Sequence, residues 1–147
     1  MTSQPAGTPA QRILATSLEL LEKGDARGWV DLFAPDGVLE FPYSLPGWPS
    51  RFVGHDELWQ QMERFPEFLE VRFTEPTFYE TGDENFTIAE FSGQGRNIQN
   101  GLPFDQDYIS LVWTSGDRIV RYRDFWNPLR HADALGGLEA AAAIVAG

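Results

Sequence analysis

The stretch Gly116–Gly137, GDRIVRYRDFWNPLRHADALGG, holds a turn, a strand, an acid among aromatics and a stop. Ser115-Gly116-Asp117 is turn chemistry, and Ile119 to Trp126 then alternates with the period of a strand. One face carries Val120, Tyr122, Asp124 and Trp126; the other carries Ile119, Arg121, Arg123 and Phe125. Asn127-Pro128 ends the strand, because proline donates no ladder hydrogen bond and restricts the residue before it. Asp124 therefore shares a face with two aromatics and a valine. A carboxylate buried there has its pKa raised toward neutrality, as a general acid or base requires. The competing reading of Asp124 is a structural hydrogen bond or a salt bridge to an arginine.

Moving toward the N-terminus, three further runs read as strands: Phe68 to Tyr79, Asn85 to Ile98 and Gln106 to Ser115. Thr81-Gly82-Asp83, Asn100-Gly101-Leu102-Pro103 and Ser115-Gly116-Asp117 separate the four runs as hairpin connections. Ahead of them the period is helical. Thr8-Pro9 is an N-cap followed by an N1 proline, and Ile13, Leu14, Leu18 and Leu21 recur until Gly24. Asp25 caps a second helix with Trp29, Leu32 and Phe33 inward, broken at Pro35-Asp36-Gly37. Val38 to Tyr43 reads as a short strand, Ser44 to Gly54 as a loop carrying Trp48 and Phe52, and His55 to Arg64 as a third helix stopped by Pro66. Helices first and an antiparallel meander after define an α+β domain. Residues 1–8 read as a flexible N-terminus, 9–130 as the domain, and 131–147 as a tail, with its AAAAIVAG end a further helix suited to an interface.

A length of 147 residues suits one domain. The chain has no cysteine, which excludes disulfides, thiolate metal sites and cysteine nucleophiles. With 11 basic and 22 acidic residues the net charge is −11, unfavourable for nucleic acid or an anionic membrane surface. The first residues have neither a basic nor an apolar signal region and no apolar run reaches a membrane span. A cytoplasmic protein is expected. The two histidines, His55 and His131, lie far apart without metal-ligand spacing, so neither a metal nor another cofactor is expected.

The order of elements, a helical hairpin, a short strand, a third helix and four long strands, resembles the nuclear transport factor 2-like cone over nearly the whole chain. GDRIVRYRDFWNPLRHADALGG is similar to the terminal strand and tail of SnoaL-like proteins. Phe65-Pro66 and the R-D-F-x-N-P run at 123–128 resemble the phenazine-biosynthesis A/B branch. The resemblance implies three N-terminal helices packed on a strongly curved, mainly antiparallel sheet that encloses a pocket. It also implies a homodimer paired through the outer face of the sheet. The superfamily holds isomerases, aldol cyclases, dehydratases and epoxide hydrolases alongside non-enzymatic carriers. Compared with ketosteroid isomerase, the helix-one tyrosine falls near Ser17, the general-base aspartate near Phe41 and the protonated aspartate near Ile109, so steroid isomerisation is not expected. In the phenazine branch a last-strand glutamate is the pocket acid, and Asp124 occupies the matching place.

The expected catalytic residues are Asp124, Tyr122 and Glu90, the last in FTIAEFSG on a strand whose pocket-facing side the sequence leaves open. Tyr43, Tyr108 and Tyr122 are candidate phenolic donors, with Tyr122 favoured by its place two residues from Asp124. Ser17, Trp29, Phe33, Phe41, Tyr43, Trp59, Phe91, Ile109, Trp113 and Trp126 are the expected substrate-binding lining, although any of the aromatics can equally be core. His131, in a tail beyond the sheet, reads as a surface or interface residue, and His55 as a helix-start residue. The expectation is a cofactor-independent enzyme of secondary metabolism, acting by cyclisation, isomerisation, dehydration or epoxide opening on a small apolar, aromatic or polyketide-like molecule. The rival is a hydrophobic-ligand carrier or protein-interaction module on the same fold.

Overall fold

Thr8 starts the first helix with a capping box. Its hydroxyl accepts from the Gln11 backbone N–H while the Gln11 side chain reaches back to the Thr8 N–H, and Pro9 fills the first turn. The resulting α1, Pro9–Lys23, ends where Gly24 takes φ 72°, a left-handed conformation that glycine adopts without a Cβ clash. Ala10, Leu14, Ser17 and Leu18 form its buried stripe. The structure, a computed structural model, describes residues 7–146. Most of the segment 1–8 expected to be flexible therefore lies outside the described residues.

Asp25 accepts from the Gly28 N–H at 2.8 Å and caps α2, Ala26–Asp31, which buries Trp29 and Val30. The chain leaves helical geometry one turn earlier than expected. Phe33 opens β1, Phe33–Glu40, and pairs in parallel with Ile119. The Phe33 ring is fully buried, with its centroid 4.8 Å from that of Trp29. Pro35–Gly37 bulges out before pairing resumes at Val38. Arg51–Val53, within the stretch read as loop, is a short β2 antiparallel to β1. Then α3, Gly54–Met62, and a one-turn α4, Phe65–Phe68, lead into the main sheet.

The expected strand 68–79 is two strands, β3 at Leu69–Phe73 and β4 at Thr77–Tyr79, split around Pro76. Both pair with the long β5, Phe86–Asn97, at different ends. β6, Gln106–Ser115, and β7, Arg118–Trp126, complete the order β2-β1-β7-β6-β5-β3, with β4 beside β5. Among the described residues every pairing is antiparallel except β1 with β7. This is the α+β cone: helices packed on a curved, unclosed sheet. The core lies between them, from Leu14 and Leu18 through Trp29 and Phe33 to Val112, Ile119 and Tyr122.

Ile119 departs from the simple alternation. The β6–β7 register slips between Trp113 and Thr114, so Thr114 faces Ile119 while Trp113 faces Arg121. The extra residue, Val120, lets Ile119 turn into the core at 0 % exposure, and from Tyr122 onward the expected faces hold. After β7, α5 at Pro128–Ala134 and α6 at Leu138–Ala146 are joined through Gly136 and Gly137. They pack with Leu45, Trp48 and Leu135 as a second small core. Among the described residues no helix is long and apolar enough to cross a membrane.

Candidate active site

The register of the last two strands builds the site. β6 and β7 pair Tyr108 with Trp126, Ser110 with Asp124 and Val112 with Tyr122. All six side chains point to the concave side, the period-2 consequence of one shared register. Tyr108, Tyr122, Asp124 and Trp126 border a cavity of about 480 Å³ between sheet and helices, whose other walls include Leu18, Trp29, Leu39, Phe41, Phe73 and Phe91, while Ser110 and Val112 are fully buried behind them. Gly93 on β5 leaves room for the Tyr108 ring, since a Cβ there would lie 3.2 Å from it.

Asp124 is surrounded by protein yet keeps part of its surface open to the cavity. Ser110 donates its hydroxyl to Asp124 Oδ1 at 2.8 Å, and the Tyr122 hydroxyl donates to Ser110 Oγ at 3.4 Å. Ser17 on α1 adjoins the Tyr122 hydroxyl and is itself anchored to the Leu14 carbonyl at 2.7 Å. Burial lifts the Asp124 carboxyl from 3.8 to about 7, with the Ser110 hydrogen bond opposing that rise. Tyr108 and Tyr122 are pushed above the ordinary phenol value by burial first and by the nearby Asp124 second. Both stay protonated donors. The site is thus a carboxyl group poised between its two forms, braced by hydroxyls and walled by aromatics.

Of the residues singled out from the sequence, Trp29, Phe41, Phe91, Tyr122, Asp124 and Trp126 border the cavity. Ser17 and Phe33 lie behind it, touching Tyr122 from the core side. Four others lie on the outer face or at its edge. Glu90 pairs across the ladder with Ile109 and accepts from the Tyr79 hydroxyl at 2.9 Å. Ile109 is 44 % exposed. Trp113 stacks on Phe86 at 4.7 Å under the Arg121 guanidinium. Tyr43 is 57 % exposed against Phe125. Inward positions on β5 and β6 are occupied instead by Thr87, Ala89 and Phe91, and by Tyr108, Ser110 and Val112. Trp59, on α3, packs against the core outside the cavity lining, with the Arg27 guanidinium 4.9 Å from its ring. The outward arginines converge on Glu40, Arg121 at 2.6 Å, Arg123 at 3.5 Å and Arg51 at 3.9 Å.

Two residues gain importance only in three dimensions. Ser110 is one of several small polar residues in its strand, and only the pairing with Asp124 distinguishes it; the alternation of Tyr108, Ser110 and Val112 was the available signal. His131, expected at the surface or an interface, is drawn into the cavity wall by α5, with Asn127 capping that helix through the Leu129 N–H at 3.0 Å. His55 is structural, its Nε2 2.8 Å from the Phe33 carbonyl. Among the described residues no group of three or more His, Asp or Glu side chains forms a metal site.

Residues 14–122 match the SnoaL-like domain. The chain belongs to the SnoaL-like family. This SnoaL-like protein is 58 % identical over 138 residues to a PhzA/B-like protein of Pseudomonas aeruginosa, covering 94 % of this chain and 98 % of the relative. It is 32 % identical over 113 residues to phenazine biosynthesis protein PhzA1 of the same organism, covering 71 % of this chain and 67 % of that protein. A crystal structure from Bacillus subtilis, of a protein provisionally classed as an isomerase, superposes with a TM-score of 0.84 at 38 % identity, covering 88 % of this SnoaL-like chain and 94 % of the other. The first of these relatives places the chain in the PhzA/B-like branch, and a nuclear transport factor 2-like protein from Burkholderia xenovorans superposes with a TM-score of 0.69 at 20 % identity, covering 88 % of this chain and 98 % of the other, a likeness of fold.

Proposed function

We propose that this SnoaL-like protein is an acid–base enzyme acting on a small, largely apolar, ring-bearing molecule held in the cone. The observation that carries the reading is Asp124: desolvated, open to the cavity, and held by a hydroxyl, while the neighbouring arginines are paired with Glu40 on the other side of the sheet. An acid near neutrality is populated in both forms at physiological pH, so the same group can take a proton from carbon and return it to carbon or oxygen. Tyr108 offers a protonated hydroxyl at the cavity wall to a developing oxyanion. Tyr122 acts on Asp124 through Ser110. Aromatic walls exclude water and supply shape. Cyclisation, isomerisation, dehydration and epoxide opening all call on this equipment. The outer sheet face, exposing Ile109 beside Trp113 and Phe86, would pair two copies of the chain.

The test uses a substrate that needs only a desolvated base. In 5-nitrobenzisoxazole a carboxylate removes the ring C–H proton while the N–O bond breaks, giving a nitrile and a phenolate. The protein should accelerate this elimination with a rate that rises with pH to a plateau, midpoint about 7. Asp124→Asn should reduce the rate by roughly 10² to 10⁴. No acceleration above buffer, or equal rates for Asp124→Asn, would sink the catalytic reading. Binding of naphthols without elimination would leave a carrier.

A further inference from the structure

The cavity has a second polar station. His131 borders the same space as Asp124, set among three aromatic rings: Trp126 at 5.0 Å, Trp48 at 5.2 Å and Phe104 at 5.7 Å between centroids. Its Nδ1 is enclosed without a hydrogen-bond partner, so a molecule in the cavity meets the imidazole through its other nitrogen, Nε2. Three other polar side chains of the cavity lining are committed to backbone. Gln106 is bonded to both the carbonyl and the N–H of Asn127 at 2.9 Å, Asn97 to the Ala134 carbonyl and the Gln99 N–H, and Ser44 to the Pro49 carbonyl. Burial lowers the His131 pKa from 6.5 to about 4, so the ring is uncharged at neutral pH, with one nitrogen a donor and the other an acceptor. Trp126 separates the two stations. It follows Asp124 by two residues on the same face, a step of roughly 7 Å along a strand, and its ring meets that of His131.

We propose that His131 is a ligand-binding residue that hydrogen-bonds a hydroxyl or carbonyl group at the far end of the ligand from Asp124. The substrate class that follows is elongated and oxygenated at both ends, with an apolar body of at least two fused rings or the equivalent chain lying along Trp126. This rests on the cavity being the ligand site, and specifies which molecules fill it. His131 sets orientation, and Asp124 remains the proton-transfer group.

The experiment compares 2-naphthol with 2,6-dihydroxynaphthalene, followed by quenching of tryptophan fluorescence. The diol should bind native protein about ten-fold tighter, because each end can reach its own polar station. His131→Phe keeps the ring packing but removes both nitrogens, and should bind the two probes equally. His131→Gln, whose amide places a polar atom near the Nε2 position, should recover part of the preference for the diol. The imidazole ¹⁵N resonances of His131 should move with the diol more than with 2-naphthol. A diol that binds no tighter than 2-naphthol, or a preference kept in His131→Phe, overturns the role of His131 while the Asp124 elimination still reports on catalysis. If neither naphthol binds, the ligand class falls; loss of the elimination activity as well removes the underlying reading.

Discussion

Ser110 and Asp124 face each other directly across the β6–β7 ladder, and the serine hydroxyl donates to the carboxylate at 2.8 Å. The bond favours the ionised acid, while burial, the larger effect, favours the neutral one. The balance between them sets Asp124 near neutrality.

Ser110→Ala should therefore move the midpoint of the elimination rate upward. A hydrogen bond to a charged group contributes about 1.5–3 kcal/mol, which corresponds to roughly 1–2 pH units. The plateau rate should be affected less than the midpoint. An unmoved midpoint would show that the hydroxyl does not tune the base.

Stability should respond to pH through two opposed groups. Asp124 has a raised pKa, about 7 against 3.8. Between those values the unfolded chain has lost a proton that the folded chain keeps, so this group makes stability fall as pH rises, by on the order of 4 kcal/mol across the window. His131 has a lowered pKa, about 4 against 6.5, so its contribution makes stability rise with pH across about 4 to 6.5. In the native protein the two slopes offset each other. Asp124→Asn should expose the rising slope, and His131→Phe the falling one. Chemical denaturation at pH 4.5, 5.5 and 6.5 reads both; parallel curves for the two variants would contradict the burial of these groups.

Glu40 gathers Arg121, Arg123 and Arg51 on the opposite side of the sheet from the cavity. The Arg121 hydrogen bond is the largest influence holding its carboxyl below the ordinary 4.5. Its stabilisation is present above that value and is lost as pH falls through the lowered one. Glu40→Gln should cost roughly 1–3 kcal/mol at pH 7 without shifting the elimination midpoint. A shifted midpoint would show that the sheet transmits this charge to Asp124.

Pairing through the outer face would bury Ile109, which is now 44 % exposed. Sedimentation should give a dimer at micromolar concentration for the native chain and a monomer for Ile109→Glu, with the elimination rate per chain retained. A monomeric native chain, or an unchanged dimer in the variant, would count against this face as the interface.

Local chemistry was legible in the sequence wherever an element is fixed by its own neighbours. Thr8, Pro9 and Gly24 bound α1 because caps, an N1 proline and a left-handed glycine act within a few residues. Likewise Tyr122, Asp124 and Trp126 share the cavity face because side chains on an unbroken strand segment alternate. Long-range pairing decided the rest. Phe33 became strand because parallel pairing with Ile119 and burial against Trp29 outweigh a helical pattern only one turn long. Ile119 entered the core through a bulge whose register is set by β6, and Glu90 went outside because β5 shares its pleat with Ile109. Ser110 is ordinary until Asp124 lies opposite. His131 is a tail histidine until α5 turns it among Trp48, Phe104 and Trp126. The acid was written in one strand, but its hydroxyl brace and the imidazole beyond it come from residues that only folding brings together.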